Sequence, residues 1–211
     1  MSVIGKSADW ADLLEPMVPV ILNLVVATWE ELPSPAPDEG EDKITNELCR
    51  ALRQNRSARS LPFQIHPQMV ELEPMAGEDM GRMDIVFIPM VPREDIYFCL
   101  EAKRLNVNKN GESRAYAAEY VTYGMLRFIN GQYAKSVLHG GMLAYVLDGN
   151  LPRAIANVAL NVRRQCAALC MNEPGRLLPS AILSDDRARE THHQRAHEST
   201  LFRIHHLFMD N

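Results

Sequence analysis

The stretch Arg82–Lys103 reads RMDIVFIPMVPREDIYFCLEAK, and two runs within it have the character of strands. Arg82–Pro89 (RMDIVFIP) is rich in β-branched and aromatic residues, and Ile96–Lys103 (IYFCLEAK) follows it closely. Between them lies Met90–Asp95, a short connection containing Pro92, so an antiparallel hairpin is the simplest topology. If that hairpin is symmetric, Pro89 pairs with Ile96, and stepping outward places Asp84 across from Glu101. Side chains alternate faces along a strand, so Lys103 projects on the same side as Glu101. Directly opposed residues have Cβ atoms roughly 5 Å apart. Two carboxylates at that distance repel unless a cation lies between them, and hard oxygen ligands of this type suit Mg²⁺ or Mn²⁺. Three charged residues converging on apolar strands are a poor way to stabilise a sheet, which makes chemistry the better explanation.

Outward from this hairpin the chain alternates between helical and extended patterns. Residues 8–32 read as an N-terminal helix whose apolar run Met17–Thr28 is too short to span a bilayer. It suits core packing or dimer formation. Leu32–Asp42 (LPSPAPDEGED) has the composition of a linker, and Asp42–Asn55 follows with Ile44, Leu48, Ala51 and Leu52 at helical spacing and Glu47 flanking the stripe. Phe63–Glu73 reads as a strand. After Lys103 come a helix from Glu112 to about Asn130, a buried strand Gly140–Leu147, and an amphipathic helix Leu151–Met171 striped by Ile155, Val158, Val162, Cys166 and Leu169. Strands near Leu178–Leu183 and Leu201–Met209 finish the chain. The expectation is one α/β domain with a mixed sheet.

The order Glu47 on a first helix, Asp84 on the second strand and Glu101-Ala102-Lys103 on the third resembles the PD-(D/E)xK, or restriction-endonuclease-like, nuclease core. The resemblance covers residues 42–147, with that superfamily's helix, three strands, helix, strand order, and departs from it at Met83, where the family name puts proline. It implies an αβββαβ core, here with an extra N-terminal helix and C-terminal strands. It also implies Mg²⁺-dependent endonuclease activity, most often on DNA, with RNA left open as substrate. Asp84, Glu101 and the backbone carbonyl of Ala102 would then hold the metal, and Lys103 would orient or help deprotonate the attacking water. Glu47 would be an outer ligand or a helix-surface carboxylate. Arg104, Tyr120 and Arg127 would contact substrate; Tyr116, Tyr120, Tyr123 and Arg127 form one stripe at helical spacing, a pattern that serves packing as readily as base stacking. The alternatives are a nuclease fold kept as an inactive binding subunit of a larger complex, and a zinc hydrolase built on His192, His193, His197, His205 and His206.

Composition bounds these readings. A net charge of −5 over 211 residues argues against binding nucleic acid through overall basicity, so any such site must be local. Arg50, Arg53, Arg56 and Arg59 form one candidate group, which reads equally well as a solvated surface; Lys103, Arg104, Lys109 and Arg114 form another. Cys49, Cys99, Cys166 and Cys170 sit in apolar periodic segments and suit free thiols in a reducing cytoplasm. His206 shares a strand face with Phe202, Ile204 and Phe208 and looks like a hydrogen-bonded core histidine. Duplex cutting needs two sites, so a homodimer through the N-terminal helix, from Trp10 to Trp29, is expected.

Overall fold

The computed structural model describes residues 13–70, 81–91, 93, 95–195 and 200–210. The first helix among the described residues, α1 (Val18–Glu30), has Pro19 in its opening turn, where the missing donor costs nothing, and buries Val18, Ile21, Leu22, Val25 and Trp29. The Trp29 ring stacks on Tyr145 at 5.4 Å between centroids, and its Nε1 donates to the Asp210 carbonyl at 3.2 Å. This corrects the expectation of a free dimer face: Ile21, Leu24, Val25 and Thr28 are all consumed by the chain's own core, and Val20, 43% exposed, is what remains outside. Trp10 and the start of the expected helix lie outside the described residues.

Helix α2 (Glu41–Gln54) carries Glu41 and Asp42 in its first turn and Arg53 in its last, in keeping with the helix dipole. Ile44, Thr45, Leu48, Cys49 and Leu52 form its buried stripe, and Thr45 Oγ1 meets Tyr145 OH at 3.1 Å. Asn55 caps the short helix α3 (Arg56–Arg59), its Oδ1 accepting from Ser57 N at 2.8 Å.

Seven strands form one mixed sheet. They are β1 (Phe63–Val70), β2 (Arg82–Pro89), β3 (Phe98–Leu105), β6 (His139–Val146), β7 (Leu178–Pro179), β8 (Ala188–His193) and β9 (Phe202–Met209), and their spatial order is β1-β2-β3-β6-β9-β8-β7. The first three form an antiparallel meander, β6 lies parallel to β3, β9 lies parallel to β6, and β8 and β7 close the far edge antiparallel. β6 is buried along its whole length, as a central parallel strand with layers on both faces must be. A helix, α4, built of segments Ala117–Tyr120, Val121–Met125 and Leu126–Ile129, supplies the crossover from β3 to β6, and α5 (Leu151–Arg164) follows β6. One apolar cluster, from Leu14 to Met209, runs through the helices and every strand of the sheet but β7.

Three expectations need correction. The helix foreseen from Glu112 begins at Ala117, because β4 (Val107–Lys109) and β5 (Glu112–Arg114) form a two-stranded ribbon. Its turn is Asn110-Gly111, both at positive φ, the residue pair that favours tight hairpin turns. The helix foreseen to Met171 ends at Arg164, and the chain continues in turns to Cys170. Strand β8, with its sequence ARETHH, is not among the expected strands; its Glu190, Thr191 and His193 are buried, with partners that include His192, His206, the Ala181 amide and the Leu169 carbonyl.

Candidate active site

The ladder between β2 and β3 pairs Ile85 with Leu100, Val86 with Cys99 and Phe87 with Phe98. One step further along that register sets Asp84 across from Glu101, the position expected from the hairpin's symmetry. Asp84 Oδ2 accepts a hydrogen bond from Ala102 N at 2.7 Å, which fixes this carboxylate against β3 where the ladder ends. On the other side of Asp84, the β1 ladder passes from Pro67↔Ile85 to Met69↔Met83, so the facing residue is Gln68, held at φ 50. A non-glycine residue in that conformation stores strain beside the carboxylate.

Glu101 is 1% exposed. Its Oε1 receives Lys103 Nζ at 2.8 Å and lies 3.2 Å from Arg127 NH1, whereas its Oε2 is buried with no hydrogen-bond partner among the described residues. Lys103 Nζ sits among three oxygens, Glu101 Oε1, Glu41 Oε1 at 3.1 Å and the Ala102 carbonyl at 2.6 Å. The carbonyl expected to face a metal is therefore engaged by the ammonium. Glu41 Oε2 accepts from Arg104 N at 3.0 Å, tying the start of α2 to β3.

Burial raises the pKa of Glu101 to about 7, with Lys103 opposing the shift and Asp84 adding to it. Burial raises that of Asp84 too, against the Ala102 hydrogen bond. For Lys103 burial pulls the pKa down, but Glu101 and Glu41 outweigh it and the ammonium is held charged. Two carboxyls held above their ordinary range beside two fixed cations form a site whose charge state changes near neutrality.

The structure brings Asp84, Glu101, Lys103 and Arg127 together and leaves Glu47 out. Glu47 is exposed, and Glu41, six residues earlier, occupies the place assigned to it. Six residues at 100° each leave the two side chains about 120° apart around the helix, so both cannot face β3. The buried stripe Ile44, Thr45, Leu48 and Leu52, carried back one turn, lands on Glu41; that was the available signal. Tyr120 is also corrected: it is fully buried, its hydroxyl 2.8 Å from His206 Nδ1, and it belongs to the core. The tyrosine stripe fails because Val121–Met125 is π-helical, which turns Tyr123 out to 62% exposure. The same wider turn sets Gly124 against Met142 and the Lys103 stem and brings Arg127 onto Glu101. Tyr133, which sequence reading did not single out, receives Arg127 NH1 and donates to the Arg82 carbonyl at 2.8 Å. No periodic pattern marks that residue, since it follows the helix in a loop.

Arg104 donates from NH1 to the Glu39 carbonyl at 2.8 Å and lines a cavity beside the β4–β5 ribbon with Lys109 and Arg114. The histidines read as a zinc alternative are occupied otherwise: His193 by Thr191 and the Leu169 carbonyl, His206 by Thr191 and Tyr120, His205 by His139, and His192 by Glu190. His197 lies outside the described residues. Among the described residues no group of three or more His, Cys, Asp or Glu side chains is arranged to hold a metal; two carboxylates and a backbone carbonyl form a smaller donor set. Among them, too, no helix is long and apolar enough to cross a membrane. No protein-family model, curated protein or solved structure matches the chain.

Proposed function

We propose that this protein is a divalent-cation-dependent phosphodiesterase of the PD-(D/E)xK nuclease class, acting on nucleic acid, with DNA the preferred substrate. The observation that carries the reading is that the β2–β3 register, carried one step past its last pair, sets Asp84 across from Glu101, with Lys103 on the same face and Glu101 Oε2 buried with no hydrogen-bond partner among the described residues. A buried carboxylate oxygen without a partner is costly, and a hard cation is what an Asp, Glu and carbonyl set satisfies. The residues present therefore fit Mg²⁺ or Mn²⁺, held by Asp84, Glu101 and the Ala102 carbonyl. When bound, the cation would supply Lewis-acid stabilisation of the phosphoryl oxygens. Lys103, charged and held between Glu101 and Glu41, would orient the attacking water, and its ammonium would have to give up the Ala102 carbonyl for that carbonyl to join the metal's ligands. Arg127, 34% exposed and braced on Tyr133, offers its outer face to substrate phosphate.

A second reading, an inactive nuclease fold serving as a binding subunit, has one observation in its favour. The Lys103 ammonium closes the oxygen cage by itself. The deciding experiment incubates the chain with plasmid, linear single-stranded DNA and RNA in Mg²⁺, Mn²⁺ or EDTA. Cleavage in the metals, lost in EDTA and in Asp84→Ala, Glu101→Ala and Lys103→Ala, is the expected result. Wild-type cleavage by any two of these variants would sink the site, and no cleavage of any substrate would favour the second reading.

A further inference from the structure

Helix α2 starts in the candidate site, with Glu41 beside Lys103, and ends in a concentration of positive charge. Arg50, Arg53 and Arg59 are all exposed, and among the described residues none has a carboxylate within ion-pair distance. Two adjoining cavities share Arg53. One, of ≈ 530 Å³, lies between α2 and β1, with Arg50 and Arg53 facing Pro67. The other, of ≈ 270 Å³, continues past Arg59 to His66 on β1. The groove is lined by guanidiniums and amides, Gln54 and Gln64 among them, together with the buried Cys49, Ala58, Phe63 and Ile65. Three uncompensated guanidiniums in one groove of a chain whose net charge is −5 set up a local field opposite in sign to the whole molecule.

We infer that this arginine groove holds the phosphate backbone of the nucleic acid at a distance from the cleavage point, a reading that rests on the function proposed above. Distance selects the occupant. From Glu41 to Arg53 is twelve residues of helix, about 18 Å at 1.5 Å per residue. At 3.4 Å per base pair that is about five pairs along a duplex; at 100° per residue Arg53 and Arg50 also lie about 120° and 180° round the helix from Glu41, so a polymer that runs on past the carboxylate site reaches the groove and a ligand seated in the site does not. A small anion would satisfy one guanidinium; a phosphate chain satisfies several at regular spacing, as the run of Arg50, Arg53 and Arg59 along two cavities requires. The amides can donate to phosphate oxygens without reading sequence. The groove accordingly raises affinity and sets a minimum substrate length, and leaves base preference to other residues.

The test is fluorescence anisotropy of a labelled 16-base-pair duplex, in EDTA so that no cleavage intrudes, across a salt series, with labelled polyglutamate as a second probe. A variant with Arg50, Arg53 and Arg59 all changed to Ala should bind the duplex at least about tenfold more weakly, with the salt slope reduced by about 2 to 3. The corresponding Lys variant keeps the charges and should recover most of both, which separates an electrostatic role from a structural one. Duplexes shortened stepwise from 16 base pairs should lose affinity for wild type faster than for the Ala variant. An unchanged salt slope in the Ala variant, with wild-type duplex binding intact, overturns this inference and leaves the nuclease reading standing. Wild type that neither binds nor cleaves nucleic acid overturns both, and wild type that binds polyglutamate in preference to duplex overturns this one by making the groove a docking face for an acidic protein.

Discussion

At the scale of single residues, the informative group is Glu101. Its folded pKa of about 7 stands above the ordinary 4.5, so the protonated form is favoured by folding. That contribution is fully present below about pH 4.5 and is lost as pH rises through 7. At pH 8 the ionised carboxylate is a cost on the order of 3 kcal/mol, since each pKa unit is worth about 1.4 kcal/mol. Glu101→Gln should therefore be more stable than wild type at pH 8, by about 1–3 kcal/mol, and the difference should vanish near pH 4.5. Urea unfolding at the two values measures it; a variant less stable at pH 8 would show that the Lys103 and Arg127 partnerships outweigh burial. Mg²⁺ should raise the wild-type midpoint at pH 8 and leave that of Glu101→Gln unmoved, because a ligand stabilises only the state that binds it. At the neighbouring carboxylates the ordering is the test. Glu41→Gln removes the charge beside Lys103 and leaves one acceptor oxygen for two donors, Lys103 Nζ and the Arg104 amide, and should lower cleavage about 10–100-fold, while Glu47→Gln should leave it unchanged. A loss in Glu47→Gln equal to that in Glu41→Gln would restore the sequence-based assignment.

At the scale of elements, α1 behaves as a wedge of the core. Trp29 joins it to β6 through Tyr145 and to the chain's end through the Asp210 carbonyl, so Trp29→Ala should destabilise the fold by about 3–5 kcal/mol. Denaturant unfolding with unchanged cleavage per folded molecule is the expected outcome, and a loss under 1 kcal/mol would mean that α1 packs loosely. The helix also shows where sequence reading stops. Its apolar run was plain, but an all-round apolar helix fits a core and an interface equally, and only the position of Tyr145 decides between them. The β2–β3 register was readable because a short connection fixes it, and with it came Asp84, Glu101 and Lys103. Glu41 was missed for want of one more turn of the α2 stripe, and the ribbon because Asn110-Gly111 stands in the connection just before a helix expected from Glu112, whose first three residues form β5. The π-helical turn at Val121–Met125 leaves no mark in a pattern that assumes 3.6 residues per turn, so Tyr120 and Arg127, read as one stripe, part company. Strand β8 was hidden by polar residues whose partners come from β9 and the loop after α5.

At the scale of the molecule, the two ends of the sheet titrate in opposite directions. Beyond the carboxylate site, β6, β8 and β9 bury His139, His193, His205 and His206. Burial lowers all four pKa values, to about 4 for His193 and about 3 for His205, with Arg203 adding to the shift at His139 and His205 and Glu15 and Glu190 opposing it at His139. Each folded value lies below the ordinary 6.5, so the stability these groups contribute is present above pH 6.5 and is lost as pH falls, because the unfolded chain takes up protons that the folded one refuses. For His193 alone the loss by pH 4 is on the order of 3 kcal/mol. Glu101, and Asp84 in the same direction, gain stability over much of that range and mask part of the loss. Several histidines outweigh one or two carboxyls, so wild-type stability should begin to fall near pH 6.5, less steeply than the histidines alone would give, and more steeply below about pH 5, once the carboxyl gain is exhausted. In Glu101→Gln that compensation is gone, and the decline from pH 6.5 to about 5 should be steeper than in wild type. Urea midpoints at half-unit steps from pH 8 to 4 for the two proteins provide the comparison. Parallel curves would mean that Glu101 titrates at its ordinary value, and a wild type as stable at pH 4 as at pH 7 would mean that the buried histidines take up protons without unfolding the sheet.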